Sequence, residues 1–122
     1  MTQRTILFRG KSVKNGQWVE GDLIQSNDQY NHKTLIWPIN TSTTDNMVGV
    51  DPATVGQFTG LTDKNGVNIF EGDCFGNDNI PIRHVVFEDG KFCFNRTHSQ
   101  GADVLSQDRI GRLEIIGNIH TK

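Results

Sequence analysis

Two carboxylate pairs are the residues of this 122-residue chain whose types and spacing could do chemistry. They occur in the tripeptides Glu20-Gly21-Asp22 and Glu71-Gly72-Asp73. Side chains two residues apart on a β-strand share a face, so each pair could bind a divalent cation or act as an acid and a base. Gly-Asp at the entry to a strand is also typical of a turn, in which the carboxylate accepts backbone N–H groups. We expect this structural role, and a metal-dependent hydrolase is the alternative.

The cysteines and histidines do not form a recognisable site. Cys74, Cys93, His84 and His98 could be combined on paper, but a zinc site usually includes a closely spaced ligand pair, and the sequence has none. No motif sets a histidine beside a cysteine as in a nucleophile pair. Phosphate-binding glycine loops and nucleophile-elbow motifs are also missing. The sequence therefore predicts no catalytic, metal-binding or cofactor-binding residue, and a protein that is not an enzyme.

Aromatic residues of the N-terminal half are the candidate binding residues. Trp18, Tyr30 and Trp37 lie there, and Trp and Tyr are enriched at subunit interfaces. Together with Phe58 and nearby cations they could instead form a surface for single-stranded nucleic acid, as on some small β-barrels. Those cations are Arg9, Lys11, Lys14 and Lys33. A third interpretation places the aromatics in small cores and the cations in solvent. We predict Trp18, Tyr30 and Trp37 as interface residues.

Composition and charge exclude several classes of protein. Hydrophobic residues make up 34% and charged residues 21%, as in a globular chain with a modest core. The formal net charge of −2 is not that of a strongly basic nucleic-acid binder. The charge is +1 over residues 1–50, with five basic and four acidic side chains, and −3 over residues 51–122, with seven and ten. No signal peptide or membrane span is visible, so we expect a cytoplasmic protein with cysteine thiols.

A repeated segment predicts the elements that position these residues. Phe-x-Gly, Lys-Asn-Gly and Glu-Gly-Asp follow one another in residues 8–22 and again in residues 58–73. Asn-Gly is typical of the two-residue type I′ turn. We therefore predict a hairpin about Asn15-Gly16 that pairs Phe8 with Leu23. We predict a second hairpin about Asn65-Gly66, with one bulge residue, that pairs Phe58 with Cys74.

Further short elements follow from turn and cap signals. Asp89-Gly90 predicts a third type I′ hairpin, with the pairs Glu88–Lys91, Phe87–Phe92, Val86–Cys93 and Val85–Phe94. Asp51-Pro52 predicts a capped helical turn, and a second short helix is expected within residues 101–109. Residues 30–39 and 113–119 are predicted strands. Together these features indicate a mainly β protein with little helix and two small lobes, residues 1–50 and 51–122.

Three segments of the chain resemble the YopX family of bacteriophage and prophage proteins. They are ILFRGKSVKNGQWVEGDLI, VDPATVGQFTGLTDKNGVNIFEGDCF and LEIIGNI. The resemblance implies a mainly β fold, with an SH3-like barrel as the C-terminal lobe and an N-terminal part suited to self-association. It also implies a bacterial or phage cytoplasmic setting, and it supplies no catalytic residues.

The sequence thus predicts a non-enzymatic protein of a phage or prophage that forms a homo-oligomer and binds a macromolecule of the host or phage. It predicts no membrane contact. A nucleic-acid-binding SH3-like module is the main alternative, and the acidic balance of residues 51–122 argues against it.

Overall fold

A computed structural model describes residues 5–28, 31–39, 47–77, 80–95 and 103–120 of the chain. The chain divides into two compact units, Met1–Gln57 and Phe58–Lys122. We refer to them as unit 1 and unit 2. Both are built on antiparallel strands, so the predicted mainly β class is confirmed. The sequence placed the boundary near Asp51. The structure places it inside a strand, because the segment after Asp51 returns to the sheet of unit 1.

The described residues form eleven strands, one 3₁₀ turn and one short helix. The strands are β1 Phe8–Lys11, β2 Trp18–Asp28, β3 Asn31–Pro38, β4 Val48–Gly49, β5 Gly56–Thr62, β6 Asn68–Phe70, β7 Asp73–Asn77, β8 Ile80–Glu88, β9 Lys91–Phe94, β10 Asp103–Val104 and β11 Gly117–Asn118. The 3₁₀ turn is Pro52–Thr54 and the helix, α1, is Gln107–Ile110. Within the described ranges, no helix has the length and apolar character that a membrane crossing would need.

Unit 1 is a four-stranded antiparallel meander, and a fifth strand returns to pair with the first. The order is β4-β3-β2-β1, and the first residues of β5 pair with β1. The 3₁₀ turn precedes β5 and is capped as predicted, since Asp51 Oδ1 accepts the Ala53 N–H at 3.0 Å and Pro52 takes the first position. Thr54 Oγ1 accepts the Lys11 N–H at 2.9 Å and fastens the turn to β1.

Backbone bonds after β4 close this meander on itself. Ser12 bridges to Val50, and the Asp51 N–H donates to the Lys11 carbonyl at 2.9 Å. The closure buries one face of the sheet, on which Ile36 is fully buried and Val50 is 3% exposed. The other face of the sheet carries the side chains considered below.

Unit 2 repeats this strand order with different elements. Its sheet has the order β10-β9-β8-β7-β11, and α1 precedes β11. Here too a four-stranded meander is followed by a helical turn and a fifth strand antiparallel to the first. The order is compatible with an SH3-like barrel, which stays a prediction for residues 51–122. The core consists of Ile69, Phe75, Val85, Phe94 and Ile110.

The β8–β9 hairpin has the predicted register. Val85 pairs with Phe94, and the ladder runs to Glu88 and Lys91. The turn residues Asp89 and Gly90 have φ of +53° and +79°, as a type I′ turn requires. Local turn chemistry was sufficient here because two residues and their φ values define the whole connection.

The predicted register of the first repeat hairpin is wrong. Phe8 pairs with Gly21, and Lys11 pairs with Trp18. The Ser12 N–H donates to the Gln17 carbonyl at 2.9 Å, so residues 13–16 form a four-residue loop. A type I′ turn needs positive φ at both central residues, and among the described residues Asp89 is the non-glycine with positive φ. Asn15 uses its side chain instead, since its Oδ1 accepts the Gln17 N–H at 2.9 Å.

The second repeat hairpin also differs from its prediction. A register shift is present, but it lies between Phe58 and Thr62, so the extra residues are on β5. Asp63 closes a tighter loop over residues 64–66, because its N–H donates to the Val67 carbonyl at 2.9 Å. The chain then turns before β7, and Cys74 pairs with His84 rather than with Phe58.

Candidate binding face

One face of the unit 1 sheet gathers the tryptophans with four charged side chains. Directly opposite residues in an antiparallel ladder share a face, and the pairs Arg9–Glu20, Lys11–Trp18 and Asp22–Trp37 therefore all lie on one side. Ile36 is offset by one residue and belongs to the buried side. We call the first side the tryptophan face; its members are Arg9, Lys11, Trp18, Glu20, Asp22, Trp37 and Ile39.

An apolar ridge, formed by Pro38 and Ile39, runs between the two tryptophans. The Ile39 N–H donates to the Glu20 carbonyl at 3.2 Å, which places this residue opposite Glu20, just past the end of β3. The Ile39 side chain is 60% exposed. Trp18 and Trp37 are half-buried, and Glu20 and Asp22 are exposed. The face therefore presents apolar surface to solvent beside charged groups.

The two cations of the face lie against Trp18. The Arg9 guanidinium carbon is 4.5 Å from the centroid of the indole ring, and the Lys11 ammonium nitrogen is 5.4 Å from it. Both distances are within the range of a cation–π interaction. The contacts hold Trp18 in a fixed orientation, which lowers the entropy that binding at this residue would cost.

Two hollows flank the ridge formed by Pro38 and Ile39. One, of about 330 Å³, is lined by Trp18, Val19, Glu20 and the ridge. The other, of about 260 Å³, is lined by Asp22, Trp37 and the ridge. Each hollow combines an indole with a carboxylate, so each could receive a side chain that has an apolar stem and a cationic end.

The structure brings together two of the three predicted interface residues. Trp18 and Trp37 share the tryptophan face, and Tyr30 lies outside the described residues. Phe58 does not join them; it is buried and packs against Phe70 with ring centroids 5.6 Å apart. Sequence reasoning missed Ile39. The alternation of Trp18, Glu20 and Asp22 along β2 would have located the face, but the neighbour of Glu20 on β3 could not be known without the register.

The two Glu-Gly-Asp tripeptides have different structures. Glu71-Gly72-Asp73 is a turn before β7, as expected, and Asp73 is 2% exposed. Its Oδ2 accepts the Phe70 N–H at 2.8 Å, and its Oδ1 accepts from Asn118 Nδ2 at 3.2 Å. The turn expectation is wrong for the first copy, which lies within β2, because Gly21 there allows close approach to the Trp37 carbonyl of β3.

The structure brings one cysteine beside a histidine. Cys74 lies opposite His84 on neighbouring strands. Burial, with a smaller contribution from the Asp73 charge, raises the pKa of the Cys74 thiol above its ordinary value, whereas an activated cysteine needs a lowered one. Cys93 is fully buried, and His98 lies outside the described residues. In the part of the chain that the structure describes, no three His, Cys, Asp or Glu side chains are grouped to hold a metal ion.

Comparison with models of known protein families assigns this chain to one family. The model of the YopX protein matches residues 7–122. The chain belongs to the YopX family. The resemblance inferred from the three sequence segments is thereby confirmed. No curated protein matches the chain.

The fold is also found in a solved structure. The crystal structure of protein EF1440 from Enterococcus faecalis is similar, with a TM-score of 0.61 over 97% of this chain and 95% of that chain. The two sequences are 21% identical, so the likeness concerns the fold alone.

Proposed function

We propose that this chain is a non-enzymatic binding protein that assembles with itself through the tryptophan face. The observation that carries the proposal is the pair of half-buried tryptophans beside the exposed Ile39 on one sheet face. Tryptophan and arginine are the side chains most enriched among residues that dominate binding energy. Exposed apolar surface rimmed by polar groups is typical of protein-binding surfaces.

The charges of the face favour a second copy of the chain as its occupant. Strand β1 contributes the cations Arg9 and Lys11, and β2 contributes the carboxylates Glu20 and Asp22. In a two-fold contact the same patch meets itself. A packing that sets β1 of one protomer over β2 of its partner would place cations opposite carboxylates. A phosphate chain would instead meet two exposed carboxylates, so nucleic acid fits this face poorly.

The proposal includes a second binding partner. We propose that the assembled protein engages a macromolecule of a phage or of its bacterial host in the cytoplasm, in keeping with the setting that the YopX resemblance implies. The non-enzymatic part is supported by chemistry: the Asp73 oxygens accept structural hydrogen bonds, and the Cys74 thiol is held protonated.

The mass in solution tests self-assembly. Light scattering coupled to size exclusion, over a dilution series, should give a multiple of the monomer mass of 13.7 kDa. Trp18→Ala and Trp37→Ala should each weaken association by about 2 kcal/mol, or about 30-fold in Kd. Val13→Ala is the matched control, because Val13 is 68% exposed but lies in the 13–16 loop. A monomer at every concentration would refute the proposal.

A charge exchange tests whether the occupant is a second copy. The double variant Arg9→Glu/Lys11→Glu and the double variant Glu20→Lys/Asp22→Lys should each repel themselves and run as monomers. Mixed together they should associate, because each supplies the charges that the other needs. If the variants associate alone as well as wild type does, the face is not the interface.

A further inference from the structure

A pocket of about 320 Å³ in unit 2 combines an apolar floor with three arginines. Phe75, Phe94, Leu113 and Pro81 supply apolar surface. The guanidinium groups come from two parts of the chain, with Arg83 on β8 and with Arg109 on α1 and Arg112 just after it. Like charges repel one another, so three arginines around one concavity are expected where an anionic ligand is bound.

Arg83 is held in position by its surroundings. Its Nε and Nη2 atoms donate to the Asn95 carbonyl at 3.2 and 2.8 Å. Its guanidinium carbon lies 5.3 Å from the centroid of the Phe94 ring. The planar group is therefore fixed before any ligand arrives, and a fixed guanidinium plane can stack a nucleobase as well as contact a phosphate.

The two other arginines come from one helical turn. The Arg112 N–H donates to the Arg109 carbonyl at 3.3 Å, and both side chains are exposed. Asp108 is exposed on the same helix but does not line the pocket. Glu88 lies five residues beyond Arg83 along β8, which is about 16 Å at 3.3 Å per residue, farther than a Debye length of about 8 Å. Among the described residues that line the pocket, the charged ones are Arg83, Arg109 and Arg112, so the lining differs in sign from the acidic balance of residues 51–122.

A second groove, of about 270 Å³, continues the pocket. It shares Gly76, Arg112 and Leu113 with the pocket. It adds Ile116, Lys64 and Glu114, and the last two have their charged atoms 3.8 Å apart. The Glu114 carboxylate thus pairs with Lys64, whereas Arg112 borders both concavities. A linear ligand with an anion at each repeat could therefore place one anion at Arg112 and continue from the pocket into the groove. The first concavity has the volume expected of a site for one small organic group.

We infer that this pocket and groove bind single-stranded nucleic acid, with phosphates on the arginines and a base against the apolar floor. This function is separate from self-assembly through the tryptophan face and involves none of its residues. Each single-strand phosphate contact contributes about 0.7 to the slope of log K against log salt, so three arginines predict a slope of about −2. Each contact should also be worth about fivefold in affinity near 0.1 M salt.

Fluorescence anisotropy tests the inference with the intact chain and a fluorescein-labelled oligothymidylate about 12 nucleotides long, within the site size of small β-barrels. Arg112→Gln should lower the affinity about fivefold, and Arg109→Gln/Arg112→Gln about 25-fold with a slope reduced to about −0.7. Lys91→Gln removes the same charge from the exposed end of the β8–β9 hairpin and should bind as wild type does. Circular dichroism of each variant confirms that the fold is kept.

Three results would overturn the inference. The first is no binding of the oligonucleotide at low salt. The second is an equal loss of affinity in Lys91→Gln and Arg112→Gln, which would mean a diffuse charge effect. The third is binding of free thymidine monophosphate as tight as that of the oligonucleotide, which would mean a small-molecule site.

Arg83→Lys keeps the charge but not the planar group, and it should lose affinity for the oligonucleotide without a large change in the slope of log K against log salt.

Discussion

Replacement of Asp63 should destabilise unit 2 strongly, because one buried carboxylate serves three backbone N–H groups. Asp63 is 5% exposed. Its Oδ1 accepts the N–H of Asn65 at 2.8 Å and of Val67 at 3.0 Å. Its Oδ2 accepts the N–H of Ile115 at 3.2 Å, 52 residues away in the chain. The side chain therefore orders its own loop and ties that loop to the segment before β11.

The size of the destabilisation by Asp63→Ala follows from how exposed each of the three N–H donors is. Asn65 and Val67 are exposed, so water can replace part of each bond, and each loss should cost about 1 kcal/mol, like a lost helix cap. The half-buried Ile115 N–H should add about 1–3 kcal/mol. Asp63→Ala should then cost about 3–5 kcal/mol, a large part of the stability of a small domain. Asp63→Asn keeps one carbonyl oxygen, so it should cost about 1–3 kcal/mol.

The contribution of Asp63 to the stability of the fold depends on pH with a definite sign. Burial alone would raise the pKa of Asp63, but the N–H groups of Val67, Ile115 and Asn65, together with Lys64, outweigh it and hold the pKa below its ordinary value of 3.8. A carboxyl whose pKa is lower in the folded state stabilises the fold above its unfolded pKa and loses that contribution as pH falls through the folded one. Wild type should therefore lose stability below pH 3.8, and both variants should lack this part of the acid dependence.

Urea unfolding measures the effect, and the positions of the tryptophans separate the two units. Trp18 and Trp37 both lie in Met1–Gln57, so tryptophan fluorescence reports unit 1 and far-ultraviolet circular dichroism reports both units. With an m-value of about 1–3 kcal/mol per molar, Asp63→Ala should lower the dichroism midpoint by at least about 1 M. Asp108→Ala, an exposed acid, is the control. Equal dichroism midpoints for Asp63→Ala and Asp108→Ala would refute the reasoning.

Two further predictions concern a glycine and a thiol. A Cβ on Gly21 would overlap the Trp37 carbonyl group, whose carbon would be 2.7 Å away. Gly21→Ala should therefore destabilise unit 1 by about 2 kcal/mol or more, as measured by tryptophan fluorescence in urea. Val13→Ala is the control, because Gly16 has φ of +70° and its replacement by alanine would itself be strained. Cys74 should be alkylated by iodoacetamide at a rate that still rises above pH 9.0, because its thiol pKa lies above that value; a rate that levels off below pH 9.0 would contradict this.

Local signals in the sequence were sufficient wherever one turn or cap decides the structure. Asp89-Gly90 specified the β8–β9 register because a two-residue type I′ turn leaves no alternative pairing. Asp51-Pro52 specified a capped helical turn for a similar reason, since the cap and the fixed φ of proline act within three residues. The choice of Trp18 and Trp37 as interface candidates followed from residue type alone and stays a prediction.

The tertiary structure decided what the repeated segment could not. Both copies contain Lys-Asn-Gly, yet one closes a four-residue loop and the other a three-residue loop. The residue before the motif differs: Val13 is exposed, whereas Asp63 is buried and bonded to Ile115. That bond depends on a segment 52 residues away, and no local propensity encodes it. The arginine pocket has the same origin, because Arg83 and Arg112 become neighbours only when β8 and the segment after α1 pack on one core.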